Sequence, residues 1–429
     1  MNWKIKKADN GLKGELIPPP DKSISHRAAI FASVSSGECA IHNFLFGQDC
    51  KHTLEAFRAM GTEISTKKDT VIIRGKGLKG LVQPPGELYL GNSGTTMRII
   101  AGVLAGQDFA SVLTGDESLS RRPMDRIIKP LSLMGVKIES SKEGPHAPIK
   151  IGPGRKRLKP IDYETPVPSA QVKSCVLAAG LYAEGKTSVT EPLQSRDHTE
   201  RILEYFSANL KREGLKTTVT GMEELVPRDI TIPGDISSAA FFIVAALLVK
   251  GSHLVIRDTG LNPTRTGILD VLKRMGGKIE ILDWHDGLEP MGDIGVNFSA
   301  LKGTVIEKDE IPCLIDEIPV LAVAAAVSSG KTVINGISEL KIKETNRIDS
   351  IVENLRKLGR RALSKGDSLI IQGEPGALNA ARLDSFGDHR IAMSMAIAAL
   401  VSNGECVVDN VDCVGTSYPK FFRDLEKTR

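Results

Sequence analysis

One pattern recurs six times along the chain and limits what it can fold into. A polar residue opens a stretch of apolar and small residues, a glycine follows, and a short β-branched segment comes next. The openings are Asp21, Asn92, Ser169, Asp235, Asp316 and Asp388; the glycines are Gly37, Gly106, Gly185, Gly251, Gly330 and Gly404. Opening and glycine lie 16, 14, 16, 16, 14 and 16 residues apart, and successive glycines 69, 79, 66, 79 and 74. Any α/β protein shows helix–glycine–strand cycles, but so constant a distance marks internal repetition. The opening residues are N-cap types, and each glycine suits the position just past a helix end. The segments Ala40-Ile41-His42, Val112-Leu113-Thr114, Ser188-Val189-Thr190, Val255-Ile256-Arg257, Val333-Ile334-Asn335 and Val407-Val408-Asp409 read as strands.

Helix bodies such as residues 239–248 are apolar nearly all round, which places them inside a domain rather than on its surface. A second, amphipathic helix often follows the strand and ends in Met60-Gly61, Met134-Gly135, Met275-Gly276 or Leu358-Gly359. Its counterpart over 201–210 is fainter, and the last one, over 421–427, ends the chain. A length of 429 residues suggests two or three domains, and six units split most naturally into two sets of three. The stretch 227–234, Pro-Arg-Asp-Ile-Thr-Ile-Pro-Gly, reads as the crossing between halves.

Charge and composition narrow the function class. A net charge of +4 with no dense Lys/Arg block argues against nucleic-acid binding, and 4% aromatic residues leave no stacking platform for single strands. The strongest apolar run, 239–249, is too short to span a bilayer, and the first residues lack a signal-peptide core. Cys39, Cys50, Cys175, Cys313, Cys406 and Cys413 show no paired spacing and read as reduced thiols. A cytoplasmic α/β enzyme is expected.

The helix openings collect chemically capable residues. A helix N-terminus presents unpaired N–H groups and attracts anions. The first unit reads Asp21-Lys22-Ser23-Ile24-Ser25-His26-Arg27, with Ser23 and Arg27 one turn apart. The second is glycine-rich, Gly91-Asn92-Ser93-Gly94-Thr95-Thr96-Met97-Arg98, which allows a ligand close to the backbone. The third reads Ser169-Ala170-Gln171-Val172-Lys173, the fourth is plain, the fifth pairs Asp316 with Glu317, and the sixth reads Asp388-His389-Arg390. Any one opening is explained by capping and a solvated charge; recurrence suggests a shared site for polyanions with acid–base groups at its edge. The strings 120–123, 195–198 and 343–347 add basic candidates that, taken alone, would be surface loops.

Two motif matches fail on context. Gly180 to Thr187 spells a nucleotide P-loop, but a helix precedes it and a strand follows, the reverse of the required order. Gly75-x-Gly77-x-x-Gly80 follows a strand but runs into Pro84-Pro85 instead of a helix. No His/Cys cluster has metal-ligand spacing. No metal and no cofactor are expected.

Taken together, Asp-Lys-Ser-Ile-Ser-His-Arg, Gly-Asn-Ser-Gly-Thr-Thr-Met-Arg, Arg-Arg-Pro-Met, Ser-Ala-Gln-Val-Lys-Ser, Ser-Arg-Asp-His-Thr-Glu-Arg, Asp-Glu-Ile-Pro, Lys-Glu-Thr-Asn-Arg-Ile and Gly-Asp-His-Arg resemble the EPSP synthase family of enolpyruvyl transferases. The motifs run in order from residue 21 to 390. The resemblance implies two inverse α/β domains, each of three repeated βαβαββ-like units around buried helices, closing over a cleft. Residues 21–233 would form one domain, and 1–20 with 234–429 the other. It implies transfer of the enolpyruvyl group of phosphoenolpyruvate to the 5-hydroxyl of shikimate 3-phosphate, with phosphate leaving through a tetrahedral intermediate. Small-molecule substrates and a monomeric state follow from it.

Carried over by position, the resemblance sets Lys22 against both substrates, and Ser23, Arg27, Ser169, Gln171 and Ser195 against shikimate 3-phosphate. Asp316 and Lys343 would meet the shikimate hydroxyls. Asn92, Gly94, Arg122, Gln171, Arg347 and Arg390 would hold phosphoenolpyruvate, the arginines as anion clamps. Asp316 would take the 5-hydroxyl proton, Glu344 would move protons at the enolpyruvyl carbon, and Lys22 and His389 complete the catalytic set. The chain departs from the family pattern in places. Ala170 stands where many relatives have serine, Asn346 where many have Asp, and Thr416 where many have a phosphoenolpyruvate-contacting Lys, with Lys420 four residues further on. Gly94 keeps the small residue that admits glyphosate. The rivals are the sister transferase acting on UDP-N-acetylglucosamine, against which Ser23 after Lys22 and the absence of a loop Cys argue, and a catalytically silent anion-binding scaffold, against which Asp316 and Glu344 argue.

Overall fold

Six helices have almost no solvent-facing side: Lys22–Ser33, Gly94–Leu104, Ala170–Gly180, Ile236–Leu248, Ile318–Val327 and His389–Leu400. Ile236–Leu248 and Ile318–Val327 hold no charged residue. Their Ala- and Ser-rich bodies let backbones come close. A Cβ on Gly102 would stand 2.2 Å from the Cys175 carbonyl oxygen, so the Gly94–Leu104 and Ala170–Gly180 helices meet where only glycine fits.

The computed structural model describes residues 1–140, 144–154 and 157–429. The chain divides into one unit of Met1–Pro19 with Pro233–Arg429 and another of Pro20–Ile232. Each repeat builds one small sheet. In the second repeat, Ser111–Thr114 pairs parallel with Leu88–Tyr89 and antiparallel with Ile149–Ile151, which in turn pairs with Ile138–Ser140. The third and fifth sheets repeat this order. This is the βαβαββ pattern, and the fold is the enolpyruvyl transferase fold.

Three sheets are completed by strands distant in sequence. Ile230–Thr231 pairs with Ser36–His42, and Lys13–Leu16 pairs with His253–Gly260. The sixth sheet, Arg382–Asp384 beside Cys406–Asp409, gains Asn2–Ile5 as its antiparallel edge, with Asn2 opposite Asp409 and Ile5 opposite Cys406. These pairings tie the N-terminal residues to the unit that contains residues 233–429.

The glycines of the long repeat do not sit where the sequence suggests. The buried helices end earlier, at Ser33, Leu104, Gly180, Leu248, Val327 and Leu400, and only Gly106 directly follows a helix C-cap. Gly37, Gly185, Gly251 and Gly330 instead have positive φ at the entry to the following strand. The outer helices carry the true glycine caps. Gly61, Gly135, Gly276 and Gly359 have φ of 86°, 85°, 96° and 78°. In each case the glycine N–H and the next N–H return to carbonyls of the last turn, as when Gly61 donates to Arg58 and Thr62 to Phe57.

The third outer helix, His198–Tyr205, closes with the same two hydrogen bonds, but exposed Ser207 takes the left-handed position at φ 66°. This substitution is why its sequence signal is faint. Ser207→Gly is expected to raise unfolding stability by ~1 kcal/mol. Gly135→Ala, where a Cβ would meet no atom within 4 Å, is expected to lower it by a similar ~1 kcal/mol through backbone strain alone. Urea unfolding of both variants checks the pair.

Candidate active site

In the unit of residues 20–232, three buried helices start close together. Asp21 caps the first by accepting the Ile24 N–H at 2.9 Å. Lys22 then pairs with Asp49. Arg27, one turn further, is 2% exposed and fully directed. Its Nε donates to Thr199 Oγ1 at 2.7 Å, its Nη2 to Ser174 Oγ at 3.1 Å and its Nη1 to the Ser23 carbonyl at 3.0 Å. Arg196 Nη1 donates to Ser23 Oγ at 3.5 Å.

The second start is capped by Ser93, not Asn92: the Ser93 hydroxyl accepts the Thr96 N–H at 3.2 Å. Asn92 instead donates to both Asp116 oxygens at 2.8 and 3.1 Å and accepts from Arg122 Nη2 at 2.5 Å. Gly94 opens the helix, and a Cβ there would lie 2.8 Å from Arg98 Nη1 and 3.3 Å from Arg122 Nη1. Arg98 donates to Gln171 Oε1 at 2.6 Å, and Gln171 Nε2 donates to Thr95 Oγ1 at 2.9 Å. Ser169 caps the third start by accepting the Val172 N–H. Among the described residues the buried Ser195 hydroxyl finds no hydrogen-bond partner. Lys22, Arg27, Arg98, Arg122 and Arg196 thus gather around helix N-termini, an arrangement suited to phosphate and carboxylate groups.

The other unit also joins its three starts, with the opposite emphasis. Arg347, 1% exposed, donates Nε to Asp388 at 2.7 Å, Nη1 to Asp316 at 3.2 Å and Nη2 to Glu344 at 2.6 Å. Asp388 in turn caps the last buried helix by accepting the Arg390 N–H at 2.8 Å. Arg390 approaches Asp316 Oδ2 at 3.4 Å and Glu317 Oε1 at 3.8 Å. Glu317, not Asp316, holds the N-cap position of the fifth helix, and it makes no side-chain cap. The Ser237 hydroxyl donates to Glu317, and Arg265 donates to Ser237 at 2.7 Å and to Asp235 at 3.2 Å. Burial alone would lower the Arg347 pKa, but Asp388, Glu344 and Asp316 outweigh it and hold the guanidinium charged.

Asp316, Glu344, Arg347 and Arg390 therefore form one connected cluster. Buried His389 is the first residue of the last helix, beside Arg390. Lys343, half-buried, precedes Glu344. Thr416 turns its hydroxyl to the Cys413 carbonyl at 2.8 Å, and Lys420 is exposed, so neither joins the cluster's hydrogen bonds. Sequence reasoning left out Arg98, Asp49 and Thr199. Arg98 and Thr199 stand inside motifs quoted above but were given no role there; Asp49 approaches from another helix and leaves no local trace.

Buried beside Lys22, His26 sets its Nδ1 2.8 Å from Thr53 Oγ1 and 3.3 Å from Thr96 Oγ1. Burial, aided by the Lys22 charge, pushes its pKa from 6.5 down to about 3. The depressed group contributes stability that is complete above pH 6.5 and is lost as the pH falls toward 3. His26→Asn, which keeps a hydrogen-bonding group near the Nδ1 position, is expected to remove about 2 kcal/mol of the stability lost between pH 7 and pH 5. Denaturant titrations at the two pH values measure this difference.

Comparison with known proteins gives this geometry a family. The family model for EPSP synthase (3-phosphoshikimate 1-carboxyvinyltransferase) matches residues 6–425. The chain is 48% identical over 424 residues to the 3-phosphoshikimate 1-carboxyvinyltransferase of Bacillus cereus strain G9842, covering 99% of this chain and 98% of that one. It is 50% identical over 418 residues to that of Geobacter metallireducens, covering 97% of each. Among solved structures, EPSP synthase from Acinetobacter baumannii aligns with a TM-score of 0.89 at 42% identity, covering 100% of this chain and 98% of that one. The enolpyruvyl transferase NikO from Streptomyces tendae aligns at 0.80 with 18% identity, covering 100% and 97%, and shares the fold. The chain belongs to the EPSP synthase family.

Proposed function

We propose that this chain transfers the enolpyruvyl group of phosphoenolpyruvate to the 5-hydroxyl of shikimate 3-phosphate, releasing phosphate. The observation that carries the reading is the Arg347 cluster. Two carboxylates suited to proton transfer, Asp316 and Glu344, share one buried guanidinium, with Arg390 alongside. Enolpyruvyl transfer needs this combination. The attacking hydroxyl must lose a proton while the methylene carbon gains one, and the anionic phosphoenolpyruvate must be held throughout.

In this reading Asp316 accepts the 5-hydroxyl proton as the oxygen attacks C2 of phosphoenolpyruvate. Its two guanidinium neighbours suit the carboxylate form that a base requires. Glu344 delivers a proton to C3, giving the methyl group of a tetrahedral adduct, and removes one as the C2–phosphate oxygen bond breaks and phosphate departs. Lys22, Asn92, Gln171, Arg122, Arg347 and Arg390 serve phosphoenolpyruvate. Arg347 has five N–H donors, and three go to carboxylates. Lys22, Ser23, Arg27, Ser169, Gln171 and Ser195 serve the acceptor's phosphate, and Asp316 and Lys343 its ring hydroxyls. His389 has a lesser role beside Arg390. A single chain acting in the cytoplasm completes the proposal; light scattering at twice the chain mass would contradict the monomer.

Phosphate release from phosphoenolpyruvate should require shikimate 3-phosphate and should not occur with UDP-N-acetylglucosamine as acceptor. Asp316→Asn and Glu344→Gln should each lower kcat by roughly 10²–10⁴-fold. Turnover unchanged in either variant would overturn its assigned role.

Gly94 supports a second expectation. Glyphosate should compete with phosphoenolpyruvate, because a bare glycine lets the Arg98 and Arg122 guanidinium groups stand close to this helix start, where an anion shared by both molecules would bind. Gly94→Ala forces those guanidinium groups to shift and should raise the phosphoenolpyruvate KM about tenfold while weakening glyphosate at least as much. Inhibition curves against phosphoenolpyruvate that show no competition in the unmodified enzyme would refute it.

A further inference from the structure

Below the third helix start lies a buried ion cluster to which the mechanism gives no task. Lys173 Nζ stands 2.6 Å from Glu191 Oε2 and 2.7 Å from Glu200 Oε1, and all three side chains are 1–2% exposed. Burying three ionisable groups is costly, and apolar residues of similar volume hold a core at least as well. Glu191 shows what the charge accomplishes. Its Oε1 accepts the Ser169 N–H at 3.1 Å and its Oε2 accepts the Ser195 N–H at 3.4 Å. Both amides lie outside the helices and strands, so no backbone ladder fixes them.

We infer that Glu191 is the positioning residue of the acceptor-phosphate pocket, clamping the two segments that carry Ser169 and Ser195 at a fixed separation. This inference rests on the function proposed above. The two hydroxyls are in the right state for an anion. Ser169 Oγ accepts the Val172 N–H, which leaves its own proton to donate, and buried Ser195 Oγ has no hydrogen-bond partner among the described residues. A bare carboxylate close to a phosphate would repel it, and Lys173 cancels that charge. Burial pushes the Glu200 carboxyl up despite the opposing pull of Lys173, whose ammonium lies 2.7 Å away.

The test is steady-state kinetics on the full-length enzyme with Glu191→Gln and Glu191→Asp. Gln can accept at only one oxygen, so one amide faces a donor. Asp keeps the charge against Lys173, which protects folding, but is one methylene too short to span both amides. Each variant should raise the shikimate 3-phosphate KM about tenfold, with kcat within about threefold and the phosphoenolpyruvate KM within about twofold. A merely structural role would lower the melting temperature without this split. An unchanged shikimate 3-phosphate KM in cooperatively melting Glu191→Asp would overturn the inference while leaving the proposed function intact. An unmodified enzyme that releases no phosphate with shikimate 3-phosphate would overturn both.

Discussion

A helix buried along its whole length can carry charge only at its ends, and this constraint organises the molecule. The bodies of Ile236–Leu248 and Ile318–Val327 offer nothing but methyl groups, aromatic rings and, near one start, serine hydroxyls. Polar chemistry is therefore confined to N-termini, where unpaired N–H groups and the helix dipole already favour it. Within each unit the three N-termini are linked by side chains. Arg27 draws on Ser174 and Thr199 in one, and Arg347 gathers Asp316, Glu344 and Asp388 in the other. Removing one member of such a buried network leaves charges without compensation, which is far more damaging than losing a surface pair.

The same scaffold yields two kinds of site. The starts in residues 20–232 surround basic side chains with hydroxyls and amides, a chemistry of anion binding. Those of the other unit pin carboxylates on arginines, a chemistry of proton transfer. The fourth start, plain in sequence, acts as an anchor: Asp235 and Ser237 hold Arg265, and Ser237 holds Glu317. The buried Lys173–Glu191–Glu200 cluster belongs to the same logic, since one carboxylate fixes two amides that no helix or strand secures.

Much of this was legible in the sequence because it is periodic. The six buried helices and the strands after them follow from a repeated apolar phrase, and the residues at helix starts follow from cap chemistry. The failures have physical causes. Asn92 and Asp316 each lie one residue before the N-cap position, because Asn92 is drawn to Asp116 and Arg122 and Asp316 to Arg347. The long-repeat glycines serve strand entry, since a left-handed residue is needed wherever the chain reverses, not only at a helix end. Ser207 hid a helix cap by filling a glycine position. Contacts of high sequence separation, such as Arg27 with Thr199 or Asn2–Ile5 with the sixth sheet, have no local signature at all.

In the proposed mechanism, binding the acceptor's phosphate and moving its protons belong to different residue clusters. Calorimetric titration of shikimate 3-phosphate into Ser195→Ala and Glu344→Gln separates them most directly. Among the described residues the Ser195 hydroxyl has no hydrogen bond to lose on removal, so a change in affinity reports the ligand. Binding should weaken in Ser195→Ala and keep its unmodified affinity in Glu344→Gln, whose turnover falls. Full affinity in Ser195→Ala, or equal weakening in both, would contradict this division.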